Sequence, residues 1–109
     1  MKRDEMIEIL HDCFDTVKEG IQSAKKQNVV PRAVYWDYVW SDINASGMDY
    51  SDLNTYQISV FHSKPPRQNE GLIELRKKLR KAGVHPVIYH EYVEEDSIWH
   101  SYMSLEITE

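Results

Sequence analysis

The sequence predicts a single small α+β domain: two helices on one face of a mainly antiparallel four-stranded sheet, in the order helix, strand, strand, helix, strand, strand. Three observations predict it. Two segments carry apolar residues at steps of three and four, and four segments are rich in aromatic and β-branched residues. The 109 residues suffice for one hydrophobic core and not for two. With 41% hydrophobic and 11% aromatic residues, a net charge of −5 does not make the chain disordered.

The first helix is read from Asp4 to Ala24, because Met6, Leu10, Cys13, Val17, Ile21 and Ala24 line one face. Asp4, Glu5 and Glu8 near its start and Lys25 and Lys26 near its end suit the helix dipole, and Val29-Val30-Pro31 stops it. The first strand follows as Ala33–Trp40. Residues Ser41 to Asn54 are polar, acidic and glycine-containing, which predicts a long loop before a second strand at Tyr56–Phe61. Asn69 is the expected N-cap of a second helix, with Leu72, Leu75, Leu79 and Ala82 on its buried face and Gly83 as its stop. Val87–Val93 and Ile98–Ile107 then form a hairpin about the acidic turn Glu94-Glu95-Asp96-Ser97. A two-residue turn at Glu95-Asp96 sets Tyr92 opposite Trp99 and Ile88 opposite Met103; a bulged turn shifts that register by one and lets His90 face His100.

Composition excludes several classes. One cysteine, Cys13, cannot form an internal disulfide, which fits a reducing cytosol. The opening Met1-Lys2-Arg3-Asp4-Glu5-Met6 places acids where a secretory signal needs its apolar run, and no stretch reaches the roughly 18 apolar residues of a membrane span. Charge is segregated along the chain. Residues 33–63 carry four acids and no lysine or arginine, residues 64–81 carry seven basic and two acidic side chains, and residues 82–109 carry six acids and no lysine or arginine.

Two helices cover one face of such a sheet and leave the other open. Strand one alternates Val34, Trp36, Tyr38 and Trp40 on one side with Tyr35 and Val39 on the other, so both of its sides are apolar. The surplus rings therefore meet another chain, and Trp36, Tyr38, Trp40 and Tyr56 are assigned to that interface or to the core beneath it. The basic group Arg76, Lys77, Arg80 and Lys81 and the acidic group Glu94, Glu95 and Asp96 are expected on opposed edges, where one copy attracts the next head to tail and closes a ring.

The amphipathic first helix, the aromatic strand Ala33–Trp40, the loop Ser41–Asn54, the strand Tyr56–Phe61, the helix Leu72–Gly83 and the closing Trp99–Ile107 stretch resemble the small tail-terminator, or tail-completion, proteins of long-tailed bacteriophages and prophages. The resemblance covers nearly the whole chain and rests on element order, length and texture. It implies a hexameric ring that caps the last ring of tail-tube protein, fixes tail length and offers the surface for the head-completion connector, and it implies that the loop Ser41–Asn54, with Met48, Tyr50 and Leu53, is an arm that orders on contact with a neighbour or with the tube. It implies a virion protein assembled in the host cytoplasm, with no catalysis and no cofactor.

Sharper chemistries fit less well. Asp42-Ile43-Asn44-Ala45-Ser46-Gly47 opens like a calcium-binding EF-hand loop, but position eight is Asp49 and position twelve is Leu53, where a bidentate glutamate is needed. The histidines His11, His62, His85, His90 and His100 show no metal-ligand spacing, so no metal site is assigned. Cys13 lies on the core face of its helix, where a thiol acts as a small hydrophobe. No nucleophile elbow or phosphate-binding glycine loop is present, so the chain is not expected to be an enzyme. Alternative readings are a nucleic-acid-binding module using the Arg76–Lys81 stripe, another head–tail connector protein, or a small regulator whose open sheet docks a partner. The acidic balance disfavours the first, so no specific nucleic acid is assigned.

Overall fold

The computed structural model describes residues 1–20, 30–44 and 50–109, with residues 42–44, 50 and 51 described for the backbone only. Among the described residues the fold is α+β with two helices. They are α1 (Arg3–Cys13) and α2 (Glu70–Lys81), and the strands are β1 (Val17–Glu19), β2 (Arg32–Asn44), β3 (Tyr50–His62), β4 (Tyr89–Val93) and β5 (Ile98–Thr108). The sheet therefore has five strands rather than four, in spatial order β1-β2-β3-β5-β4, with β1 parallel to β2 and the other pairs antiparallel.

The extra strand replaces the second half of the expected first helix. Met6 and Leu10 are buried on one face of α1, and Phe14, one turn on but already in extended conformation, is buried as well, its N–H donating to Leu10 O. Downstream, Ala33 donates to Thr16 O and Gly20 donates to Tyr35 O, so the backbone of this short segment is satisfied by the edge of β2 instead of by a helix. Gly20 takes φ 115°, a conformation that ends the pairing and that a helix does not contain. Ile21, Ala24, Lys25, Lys26 and Val29 lie outside the described residues.

The predicted long loop is the second correction. Residues 41–44 and 50–54 continue β2 and β3 as one hairpin, paired from Arg32↔Phe61 out to Asn44↔Tyr50. Polar residues there read as a loop because no core lies against them, yet hydrogen bonding along the ladder holds them extended. A bulge between Asp37 and Val39 sets Asp37 opposite Tyr56 and Val39 opposite Thr55. It moves Val39 to the face shared by Val34 and Trp36, and Trp40 to the face shared by Tyr35 and Tyr56, which reverses the alternation expected for both residues.

One face of the sheet holds the main core. Met6 and Leu10 of α1 and Leu72, Leu75 and Leu79 of α2 pack onto Tyr35, Ile58, Val60, Met103 and Leu105. The helices approach closely at Gly71, where a Cβ would stand 2.7 Å from the Phe14 ring and 2.8 Å from Cys13 O. Asn69 caps α2 as expected, its Oδ1 accepting from Leu72 N at 2.8 Å, and Gly83 follows the helix with φ 85°. Cys13 is half-buried against this core, and burial pushes its thiol pKa up.

The β4–β5 hairpin has Tyr92 opposite Trp99, the register of the two-residue-turn reading. Its connection is Glu94–Ser97, a 3₁₀ turn closed by Ser97 at φ 50°. Strand β4 starts at Tyr89, so Ile88 does not pair with Met103 and packs instead against the margin of the core. His90 pairs with Ser101 and His100 with Glu91, which places the two imidazoles on opposite faces.

Candidate assembly surfaces

The face away from the helices carries a ladder of rings. Phe61 stacks on His100 with centroids 4.7 Å apart, His100 on Tyr102 at 4.9 Å, and Tyr102 on Tyr89 at 5.4 Å. The Arg32 guanidinium lies 4.3 Å from the Phe61 centroid, a cation–π contact at the buried end of the row. Val34, Phe61 and Ile98 form a second small core here, with Trp36 packed against it. Trp36 thus belongs partly to the interior. His100 is held from two sides, by Ser59 Oγ at 2.8 Å and Glu91 Oε1 at 2.9 Å.

Further along the sheet the apolar side chains are open. Trp40, on the helix-side face beyond the helices, is 79% exposed, while Tyr38, on the opposite face with Val39, is 51% exposed. Neither ring swings freely: the Trp40 indole N–H donates to Asp37 Oδ2, and the Tyr38 hydroxyl is 3.0 Å from Ser104 Oγ. Fixed aromatic rings lose little entropy on binding, which is the property of an interface anchor. A cleft of about 460 Å³ beside Trp40 is lined by Asp37, Ser41, Asp52, Asn54 and Glu109, so the exposed indole stands in an acidic setting.

Tyr56, by contrast, is 2% exposed and sits in a polar clamp. Its hydroxyl donates to Glu109 Oε1 at 2.6 Å and accepts from Arg3 Nε at 3.1 Å, while Asn54 Nδ2 donates to Glu109 Oε2 at 3.0 Å. Burial, and then the bond to Glu109, push the phenol pKa up to about 12. Tyr56 therefore supports the surface from beneath. Met48 lies outside the described residues, and Tyr50 is described for its backbone only.

The basic residues of α2 do not form one stripe. Lys78 turns toward α1, with Nζ 3.9 Å from both Asp12 and Glu74. Arg76 lines an open groove of about 1360 Å³ together with Pro65, Pro66, Val87, His90 and Trp99. Glu94, Glu95 and Asp96 form the turn of the hairpin that supplies His90 and Trp99 to this groove, and none of the three lines it. Lys77, Arg80 and Lys81 are exposed on the same helix. Sequence reasoning missed the groove; its signals were the Pro65-Pro66 pair and Val87, which is exposed.

A buried polar chain runs beside the groove. The Lys64 carbonyl can only accept, so His62 Nδ1–H donates to it at 2.7 Å, and His62 Nε2 accepts from the Ser101 hydroxyl at 2.8 Å. Ser101 Oγ in turn accepts from His90 Nδ1–H at 2.7 Å. Burial lowers the pKa of His62, and burial with the nearby Arg76 lowers that of His90. A hydroxyl donating to an oriented imidazole has the connectivity of a nucleophile and its base, but Ser101 and His62 are both fully enclosed, so the chain acts as core packing.

Among the described residues no group of three or more histidine, cysteine, aspartate or glutamate side chains could hold a metal ion, and no helix is long and apolar enough to cross a membrane. The calcium-loop-like stretch Asp42–Gly47 runs beyond the described residues. No family model matches the chain, and no curated protein matches it.

Proposed function

We propose that the chain is a structural subunit of a bacteriophage tail, a tail terminator that assembles as a homo-oligomeric, hexameric ring. The ring caps the tail-tube protein, stops elongation and offers the docking surface for the head connector. The observation that carries the reading is Trp40, a pinned indole 79% exposed on the outer half of a long hairpin, with Tyr38 and Val39 exposed on the opposite face of the same strand. Monomeric proteins rarely leave large apolar side chains exposed on both faces of one strand, whereas a subunit with two complementary flanks needs them. The uneven distribution of charge supports the same reading, since acids dominate the strands and cations dominate α2.

Binding of nucleic acid by the Arg76–Lys81 segment is less well supported. Lys78 is tied to two carboxylates, and the stacked rings of the open face share it with Glu91 and Glu106. Mass measurement across concentration, with and without purified tail-tube protein, tests the proposal. A multi-subunit ring, free or on tube ends, is the expected result, together with tubes that stop growing. A chain that stays monomeric throughout and leaves tube length unchanged refutes it, and steeply salt-dependent retention on single-stranded DNA would favour the nucleic-acid reading.

A further inference from the structure

The acidic cleft around Trp40 and the groove beside Arg76 have opposite character. The cleft side has Asp37 and Asp52 near an exposed indole, in a stretch, residues 33–63, without a lysine or arginine. The groove has the apolar side chains Pro65, Pro66, Ile73 and Val87 for walls, carries Arg67 and Arg76, and has no aspartate or glutamate in its lining among the described residues. At about 1360 Å³ and open along its length, it exceeds the ~300–1,000 Å³ typical of small-molecule sites, which suits a polypeptide segment.

We infer that the hairpin arm of one copy docks into this groove of the next copy, with Trp40 as the anchor against the prolines and Asp37 and Asp52 facing Arg67 and Arg76. The inference rests on the ring reading above and names its contact. The two surfaces flank opposite ends of β3, whose 13 residues span roughly 40 Å, so no copy can fill its own groove. The contact is therefore head to tail, which leaves one free arm and one free groove on every open chain of copies until a ring closes. Indole burial against proline and aliphatic carbon supplies apolar area, an arginine over the ring adds a cation–π contribution, and the opposed charges set the register.

Two single variants of the full chain and their mixture test it, read by analytical ultracentrifugation. Trp40→Ala removes the anchor and keeps the groove; Arg76→Glu spoils the groove and keeps the arm. Each alone should raise the self-association dissociation constant at least about 30-fold. Mixed one to one, they should form dimers and nothing larger, because each pair retains one intact arm and one intact groove. The double charge swap Asp52→Arg with Arg76→Glu in one chain should recover assembly that Arg76→Glu alone loses, which separates recognition from misfolding. Rings of both single variants that match the unaltered chain, or a mixture that stays monomeric, overturn the docking and leave the ring reading standing. An unaltered chain that remains monomeric at every concentration and ignores tube ends overturns both.

Discussion

At their inner ends β2 and β3 lie beneath the helices, with Ala33, Tyr35, Ile58 and Val60 enclosed; farther out, β2 leaves Tyr38, Val39 and Trp40 in the open. Dimensions account for the contrast. Helices of 11 and 12 residues reach about 17 Å, whereas strands of 13 residues reach roughly 40 Å. Two strands that outrun their cover necessarily expose what they carry. The outermost rungs, residues 41–44 against 50–54, are mostly polar, as an uncovered hairpin requires, whereas the stretch just inside them carries the pinned rings of Tyr38 and Trp40.

Leu75→Ala at the covered end gives the largest expected effect. Leu75 is fully buried between α2 and the sheet, so its truncation leaves a cavity costing about 2–5 kcal/mol, a fall of at least about 8 °C in the melting midpoint. Calorimetry checks this, and a small shift would mean that the covered region is looser than its packing implies.

A smaller effect should come from pH. His62 and His90 both titrate lower in the folded chain than their ordinary value of 6.5, so the unfolded chain binds protons first as pH falls. Their contribution to stability is complete above about pH 6.5 and is lost as pH drops through the lowered folded values. Protonating His62 Nε2 also removes the acceptor of the Ser101 hydroxyl. Melting midpoints should therefore decline from about pH 7.5 to about pH 5, and His62→Gln should flatten that decline. An unchanged slope in the variant would assign the acid sensitivity to other groups.

The smallest effect sharpens the contrast most. Trp40→Ala should alter the melting midpoint of the monomer by an amount equivalent to no more than about 0.5 kcal/mol, because the side chain touches little of its own fold. A large loss of monomer stability would show that the indole belongs to the interior, and the division between the two ends of the hairpin would fail.

Much of the fold was legible in local signals. The cap at Asn69, the Leu72–Leu75–Leu79 face of α2, the stop at Gly83 and the Tyr92–Trp99 register each depend on interactions within a few residues, and each appears where the local pattern put it. The first helix misled for a specific reason. Steps of three and four from Cys13 to Val17 suit a helix face, but Phe14 needed the same core and β2 offered an open edge, so Thr16 to Gly20 paired there. The stretch from Ser41 to Asn54 looked like a loop because polar residues in an uncovered ladder carry no periodic apolar mark.

The candidate surface divides in the same way. The excess of rings and the separation of charge are counts along the chain, so the sequence by itself determined that this domain has aromatic surface to spare and an uneven field. Which rings remain outside was decided in three dimensions. The bulge after Asp37 turned Trp40 away from Trp36, the polar clamp enclosed Tyr56, and chain segments far apart in sequence met to form the groove at Arg76. A one-residue offset in a strand exchanges its faces, and a groove exists only between elements; composition and period register neither.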